Sequence, residues 1–225
     1  MELQGLTHQS IATGQLDVDV EHLSFFTGRI RYVTTSGDDT NEGTVSAPLA
    51  TIAEAISQSA AGDAVNVGYG TYDEAGLDLN LAGLELWLES GVVLQDSADG
   101  TVLTVSGFGC RVVGSGNVRI DPTGGATGID VTGSFCWIEQ LRLNGNSVGA
   151  LGMDITGAGT TIKYCRCANP TTAAFKIQAD KVHLLDCCTG GNANTIGYWI
   201  TNSSDKFRLC NCSSQGHGTA GFQVD

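Results

Sequence analysis

Residues 128–131 read GIDV, and the same short pattern returns as GMDI at 152–155, AFKI at 174–177, GYWI at 197–200 and GFQV at 221–224. The starts are 24, 22, 23 and 24 residues apart, and VLTV at 102–105 extends the series backwards by a further 26. Each stretch holds an apolar residue, a variable one and a second apolar one, the period-two alternation of a strand with one buried face. The buried columns are then Leu103, Ile129, Met153, Phe175, Tyr198, Phe222 and Val105, Val131, Ile155, Ile177, Ile200, Val224.

A second strand follows in each repeat after a short turn, as CWIEQLRL (136–143), TTIKYCRC (160–167), DKVHLLDC (180–187) and DKFRLCNC (205–212). Aligned on their cysteines, these predict inward columns Ile138, Ile162, Val182, Phe207, then Leu141, Cys165, Leu185, Cys210, then Leu143, Cys167, Cys187, Cys212. The outward columns are Glu139, Lys163, His183, Arg208 and Arg142, Arg166, Asp186, Asn211. Glu139 is thus expected beside Lys163 and Arg166 beside Asp186, as solvated pairs worth about 0.2–1 kcal/mol each. A repeat this short, with strands and no room for a helix, predicts an all-β chain folded as a parallel β-helix, a solenoid whose like positions stack about 4.8 Å apart. The Leu and Asn signature of a leucine-rich repeat is absent, and a propeller blade needs about 40 residues.

The eight cysteines, six of them in pairs at 165/167, 187/188 and 210/212, raise the choice of metal site, disulfide scaffold or packing. Leucine and cysteine alternate along the same predicted columns, which suits buried reduced thiols and not a metal site. Rung spacing alone leaves disulfides open, because it lies near the Cα separation they need. Cys110 and Cys136 are one repeat apart and are expected to stack, whereas Cys188, next to Cys187, is expected to face outward. No metal or cofactor is expected.

Composition narrows the partners. The 225 residues carry a formal charge of −13, 24 acidic against 11 basic, which repels nucleic acid. There are 31 glycines and only 3 prolines, a balance that suits many short strands joined by glycine turns. The opening MELQGLTHQSIATGQLDVDV has no basic segment followed by an apolar one, and no stretch approaches the roughly 18 apolar residues of a membrane span. Membrane insertion is therefore not expected, and a cytoplasmic origin agrees with free thiols. The glycine-rich GSGNVRIDPTGGATG (114–128) lacks the following helix and lysine of a phosphate loop. His8, His22, His183 and His217 are scattered and read as surface residues.

Residues 32–74 break the repeat: YVTT is a short strand, SGDDTNEGT a loop of turn formers, APLATIAEAISQSA an amphipathic helix with Leu49, Ile52, Ala55 and Ile56 on one face, and GDAVNVGYGTYDE a return to strand. Tyr32, Val33, Ser36, Gly37, Asp39, Asn41, Gly43, Pro48, Thr51, Ile52, Gly62, Asp63, Gly70, Tyr72 and Glu74 carry a pattern that resembles the N-terminal start of right-handed parallel β-helix proteins of the pectate-lyase-like superfamily. The resemblance implies a right-handed β-helix with a short capping helix. It leaves chemistry open, because lyases, esterases, hydrolases, tailspikes and inert fibres share the start. Three regions follow: 1–31, an attachment or oligomerisation segment with an apolar patch at Leu23, Phe25 and Phe26; 32–76, the β-helix start; and 77–225, the coils. The apolar patch reads equally well as a packing surface. The chain stops partway through a coil at GTAGFQVD, so either a partner or further chain is expected there.

The outward residues of the first strand form one row: Thr104, Asp130, Asp154, Lys176, Trp199, Gln223. An aromatic face stacks on sugar rings and carboxylates accept their hydroxyls, so Asp130 and Asp154 are the candidate catalytic pair and Lys176, Trp199 and Gln223 the candidate substrate-binding residues. The plainer alternative is a solvated sheet face with a Lys176–Asp154 pair. A lyase like the pectate enzymes is expected to need a calcium-binding carboxylate cluster and an arginine base, and the row holds no arginine. The resemblance extends to phage tailspikes and tail fibres. The leading expectation is accordingly a homotrimeric virion component, assembled in the host cytoplasm, joined to tail or baseplate proteins through residues 1–31 and presented to host surface polysaccharide. The alternatives are a polysaccharide hydrolase or lyase, and an extracellular carbohydrate-binding or adhesion module.

Overall fold

The GIDV pattern lies within a strand, Thr127–Val131, whose neighbours are Leu103–Val105 on one side and Leu151–Ile155 on the other. The computed structural model describes residues 28–122, 125–147, 149–191, 195–201 and 206–225. Three sheets wind around a common core: an eight-stranded sheet from Ile30–Val33 to Phe207–Cys210, a seven-stranded sheet from Gly70–Asp73 to Ser213–Gln215, and a six-stranded sheet from Leu103–Val105 to Ala220–Val224. Strands one coil apart pair in parallel, which gives an all-β right-handed parallel β-helix of about six turns. Among the described residues no helix is long and apolar enough to cross a membrane.

The columns read from the six-stranded sheet hold in register and are buried as far as Tyr198 and Ile200, whereas Phe222 and Val224 on the last strand, with no further coil over them among the described residues, are exposed. Ile129 stacks on Met153, Met153 on Phe175, Phe175 on Tyr198 and Tyr198 on Phe222, with Val131, Ile155, Ile177, Ile200 and Val224 beside them. The Phe175 and Tyr198 rings lie 5.4 Å apart at 8°, and Tyr198 and Phe222 4.8 Å apart at 13°. Each fully buried aliphatic side chain contributes about 1.5–3 kcal/mol. The glycine that opens GMDI has a packing reason: a Cβ on Gly152 would run into the Cys167 sulfur and the Ala174 carbonyl.

The start of the solenoid shows what its motif does. The helix is only Ile52–Ser57, shorter than the amphipathic stretch, with Ile52, Ala55 and Ile56 buried and Leu49 buried just before it. Its first turn is held by two carboxylates. Asp39 accepts from the backbone of Ala50 and Thr51 and from the Thr51 hydroxyl, each at 2.9 Å, and Glu74 accepts from Ile52 and Ala53 at 2.8 and 2.9 Å. The Thr51 hydroxyl in turn accepts from the Glu54 N–H. The spaced Asp, Thr and Glu of the motif are therefore the capping chemistry that turns a loop into a lid.

The cysteine alignment of the second strand is corrected from the third coil onward. Ile162 stacks on Leu184 and Leu184 on Leu209, while Val182 pairs with Phe207 at the strand start. Leu185 is half-buried, Cys210 is exposed, and Thr189, not Cys187, continues the column of Leu143 and Cys167. The reason is the corner between the eight- and seven-stranded sheets. There one residue per coil adopts the left-handed conformation, Gln140 (φ 60°), Tyr164 (54°), Asp186 (54°) and Asn211 (53°). Counting from that corner, Cys165, Cys187 and Cys212 are equivalent, and the apparent pairs CRC, DCC and CNC are out of step by two residues.

This shift re-sorts the outward charges. Glu139 does neighbour Lys163, but its side chain is buried, accepting from the Trp137 indole at 2.9 Å with Arg111 at 3.7 Å. It is a satisfied buried carboxylate and not a solvated ladder member. His183 aligns with Thr161, not Lys163. Arg166 aligns with Cys188, and Asp186 instead accepts from the Asn211 amide. All eight cysteines are free thiols, with Cys110, Cys136, Cys165, Cys167 and Cys187 buried, Cys188 and Cys212 half-buried and Cys210 exposed. The Cys136 backbone neighbours Cys110 one rung below, as the spacing predicts, since the Trp137 N–H bonds the Cys110 carbonyl. The attachment segment at 1–31 lies, but for its last four residues, outside the described residues.

Burial pushes the Cys110 and Cys165 thiols up to about 12, so they carry no thiolate at neutral pH. A maleimide titration of native protein is expected to modify only Cys188, Cys210 and Cys212, and all eight after denaturation; fast native labelling of Cys165 or Cys167 refutes the buried ladder. Phe175→Ala should destabilise the solenoid by about 3–5 kcal/mol in urea unfolding, since it empties the middle of an aromatic stack.

Candidate functional site

The outer face of the six-stranded sheet carries the row in the predicted register: Thr104 beside Asp130, Asp130 beside Asp154, Asp154 beside Lys176, Lys176 beside Trp199 and Trp199 beside Gln223. The sequence reading missed one member. Asp78 pairs in parallel with Thr104, one further step of 26 residues back, inside GLDL (76–79), which repeats the pattern of GIDV and GMDI and is the signal that could have found it. It lies two rungs from Asp130, and its Oδ1 accepts from the Ser106 hydroxyl at 2.7 Å.

The two central carboxylates sit in different surroundings. Asp154 is engaged: Lys176 Nζ lies 3.9 Å from Oδ2, and the Gln178 amide donates to Oδ1 at 2.6 Å. Asp130 is half-buried and has no hydrogen-bond partner among the described residues. Burial, then the neighbouring charges of Asp154 and Asp78, holds its carboxyl above the usual range. One rung separates a carboxyl that holds its proton more tightly than usual from an ion-paired neighbour, the split that lets two identical groups take different roles.

The other half of the row is aromatic and polar. Lys176 Nζ sits 5.2 Å from the centre of the Trp199 ring, so the lysine bridges Asp154 and the indole. The Trp199 indole N–H donates to Asp225 Oδ2 at 2.6 Å, and the Gln223 amide donates to Asp225 Oδ1 at 2.8 Å. Asp225, which sequence reasoning did not single out, thereby ties Trp199 to Gln223. The structure brings all five predicted residues into one strip, but only as neighbours along it. A strip of this kind accommodates an extended ligand better than a small compact one.

His217 is not the plain surface residue expected. It is half-buried between two threonine hydroxyls, 2.8 Å from Thr195 and 2.9 Å from Thr189, and burial lowers its pKa. The Thr189 hydroxyl donates onward to Ser214 at 3.0 Å. His183 is exposed, and His8 and His22 lie outside the described residues.

The residues do not fit the calcium site that the lyase resemblance implies. Calcium takes about six to eight oxygens converging on one point. Here the carboxylates are strung along a column, Asp154 is already held by Lys176 and Gln178, and no group of three potential ligands converges among the described residues.

Fold and surface define the class: a right-handed parallel β-helix with an acidic and aromatic strip on one face. The chain belongs to the family described as "protein of unknown function (DUF1565)", whose model matches residues 35–183. Among solved structures it is similar to a rhamnogalacturonan lyase, with a TM-score of 0.60 and 17% identity over 87% of this chain, and to the pectate lyase Pel9A, with a TM-score of 0.54 and 16% identity over 84%. The chain spans 63% of the length of the first and 70% of the second. Identities this low make the likeness one of fold. No curated protein matches the sequence.

Because Asp154 is a cause of the raised Asp130 pKa, Asp154→Asn is expected to bring the Asp130 titration, followed by carboxyl NMR, down toward the ordinary aspartate range. A group held above its unfolded pKa opposes folding once pH rises past the unfolded value, so Asp130→Asn should leave melting temperature unchanged at low pH and raise it near neutrality.

Proposed function

We propose that this chain is a polysaccharide-active β-helix that binds a glycan along the acidic strip and hydrolyses it. The observation that carries the reading is the asymmetry between Asp130 and Asp154, a half-buried unpartnered carboxyl beside an ion-paired carboxylate, in line with an indole suited to a sugar ring. Asp130 supplies the proton to the glycosidic oxygen as the bond to the anomeric carbon breaks. Asp154, ion-paired with Lys176, is the carboxylate that takes the proton of the attacking water. The two aspartates stand one rung apart, about 4.8 Å at the backbone, nearer than the roughly 5–5.5 Å of direct attack or the roughly 6.5–9.5 Å that leaves room for water, so hydrolysis requires the two side chains to splay apart around the substrate. Trp199 and Gln223 position the chain further along. Structures of similar fold are named as a rhamnogalacturonan lyase, a pectate lyase and a "putative glycosyl hydrolase", which supports action on a polysaccharide; the choice of hydrolysis rests on the strip.

The virion reading, a homotrimer fixed to tail or baseplate proteins through residues 1–31, draws no support from the described residues or from the structural neighbours. Its glycan partner is retained here, and its location and assembly are not needed for the strip to work.

A panel of plant and bacterial polysaccharides, read by reducing-end release and by ultraviolet absorbance of unsaturated products, tests the proposal. Hydrolysis is expected to give reducing ends without the absorbance. Asp130→Asn should lower the rate by about 100-fold or more, as loss of a general acid does. Absence of cleavage across the panel, or unsaturated products, overturns hydrolysis.

A further inference from the structure

The corrected register exposes a second charged surface, on the seven-stranded sheet. Arg119, Arg142 and Arg166 occupy the same outward position on three consecutive strands. They are three of only 11 basic residues in a chain of net charge −13. Like charges directly opposite on adjacent strands, here about 4.8 Å apart, are destabilising.

Two nearby arginines, one of them in this column, are neutralised where they stand. Arg111 lies between Glu85 at 4.0 Å and Glu139 at 3.7 Å, and Arg119 pairs with Asp121 on its own strand. Arg142 reaches no carboxylate and donates to the Asn117 amide oxygen at 3.1 Å. The Arg166 side chain is exposed and makes no hydrogen bond or ion pair among the described residues, because the corner at Asp186 turns its expected carboxylate toward Asn211.

The two uncompensated guanidiniums flank an open groove of about 380 Å³, lined also by Gly116, Gln140, Leu141 and Tyr164. Tyr164 is the corner residue of its coil, 48% exposed, with Lys163 Nζ 4.9 Å from its ring centre. The left-handed corner thus holds an aromatic ring at the rim of a doubly cationic groove.

We propose that this groove is a binding site for an acidic glycan, with sugar carboxylates on Arg142 and Arg166 and a ring against Tyr164. Guanidinium forks bind carboxylates bidentately, and an aromatic face takes the apolar side of a pyranose. Two stacked cations in an acidic surface suit a chain with one charge per sugar. The much denser charge of nucleic acid meets net repulsion beyond the groove. The site is separate from the acidic strip, and it rests on the glycan reading only for the class of ligand.

The test is calorimetric titration of the full chain with a short oligogalacturonate, its methyl ester and a single-stranded DNA oligomer, repeated for Arg142→Gln, Arg166→Gln, the double variant and Trp199→Ala. The expected result is oligogalacturonate binding that weakens with salt, is lost on esterification, falls about 10-fold or more with either arginine substitution and survives Trp199→Ala. The arginine variants should melt at the same or a higher temperature than the parent, because they relieve repulsion. Loss of binding in Trp199→Ala with no change in the arginine variants overturns the groove and leaves the strip standing. Binding of the ester as tightly as the acid, or tighter binding of DNA, overturns the acidic-glycan assignment. Loss of hydrolysis in Asp130→Asn with groove binding intact separates the two sites.

Discussion

At the corner between the eight- and seven-stranded sheets one residue per coil, Gln140, Tyr164, Asp186 and Asn211, takes a left-handed backbone conformation, and the organisation of the coils depends on it. A non-glycine residue there costs roughly 1–2 kcal/mol. The cost is offset by the ladder: the Gln140 N–H bonds the Lys163 carbonyl at 3.0 Å, Tyr164 the Leu185 carbonyl at 3.0 Å and Asp186 the Cys210 carbonyl at 2.9 Å. Each corner therefore turns the chain without breaking rung-to-rung bonding. Because side chains alternate along a strand, the position of the corner decides which residues of the next sheet face water.

Both charged surfaces follow from this. A stack of parallel strands imposes a fixed spacing on outward residues, so any like-charged column is strained whatever its chemistry. In the acidic strip the strain is relieved in two ways: Asp130 holds its proton more tightly, and Asp154 is paired with Lys176. In the arginine column the first route is closed, since a guanidinium does not release its proton in the accessible range, and the second serves Arg119 alone, which pairs with Asp121, while no carboxylate among the described residues pairs with Arg142 or Arg166. The proposed proton transfer on the first column and anion capture on the second both start from this difference.

Stability is supplied elsewhere, by the interior columns and the capped first turn. Val131, Ile155 and Ile177 are fully buried, and Asp39 and Glu74 satisfy the backbone donors at the start of the helix. With the core and cap carrying the fold, outward positions are free to differ from coil to coil, as the run Thr104, Asp130, Asp154, Lys176, Trp199, Gln223 does. That freedom is why one solenoid supports many chemistries and why the fold alone assigns none.

The sequence by itself determined the solenoid, the order of the acidic strip and the cap. An alternation of period two at a nearly constant repeat leaves only one way to bury Ile129, Met153 and Phe175 together. It did not determine the second strand, where the cysteine pairs offered a persuasive but false alignment: Cys165, Cys187 and Cys212 are equivalent, yet Cys212 is the second of its pair where the other two are the first. Only the tertiary structure decided that Glu139 is buried against Trp137, that His217 sits between two threonines and that Arg166 is left without a carboxylate among the described residues. The physical reason is common to these cases. Period and polarity report which face a residue takes within its own strand, whereas the rung it meets is set by corner geometry, and a two-residue displacement preserves the face while exchanging every neighbour.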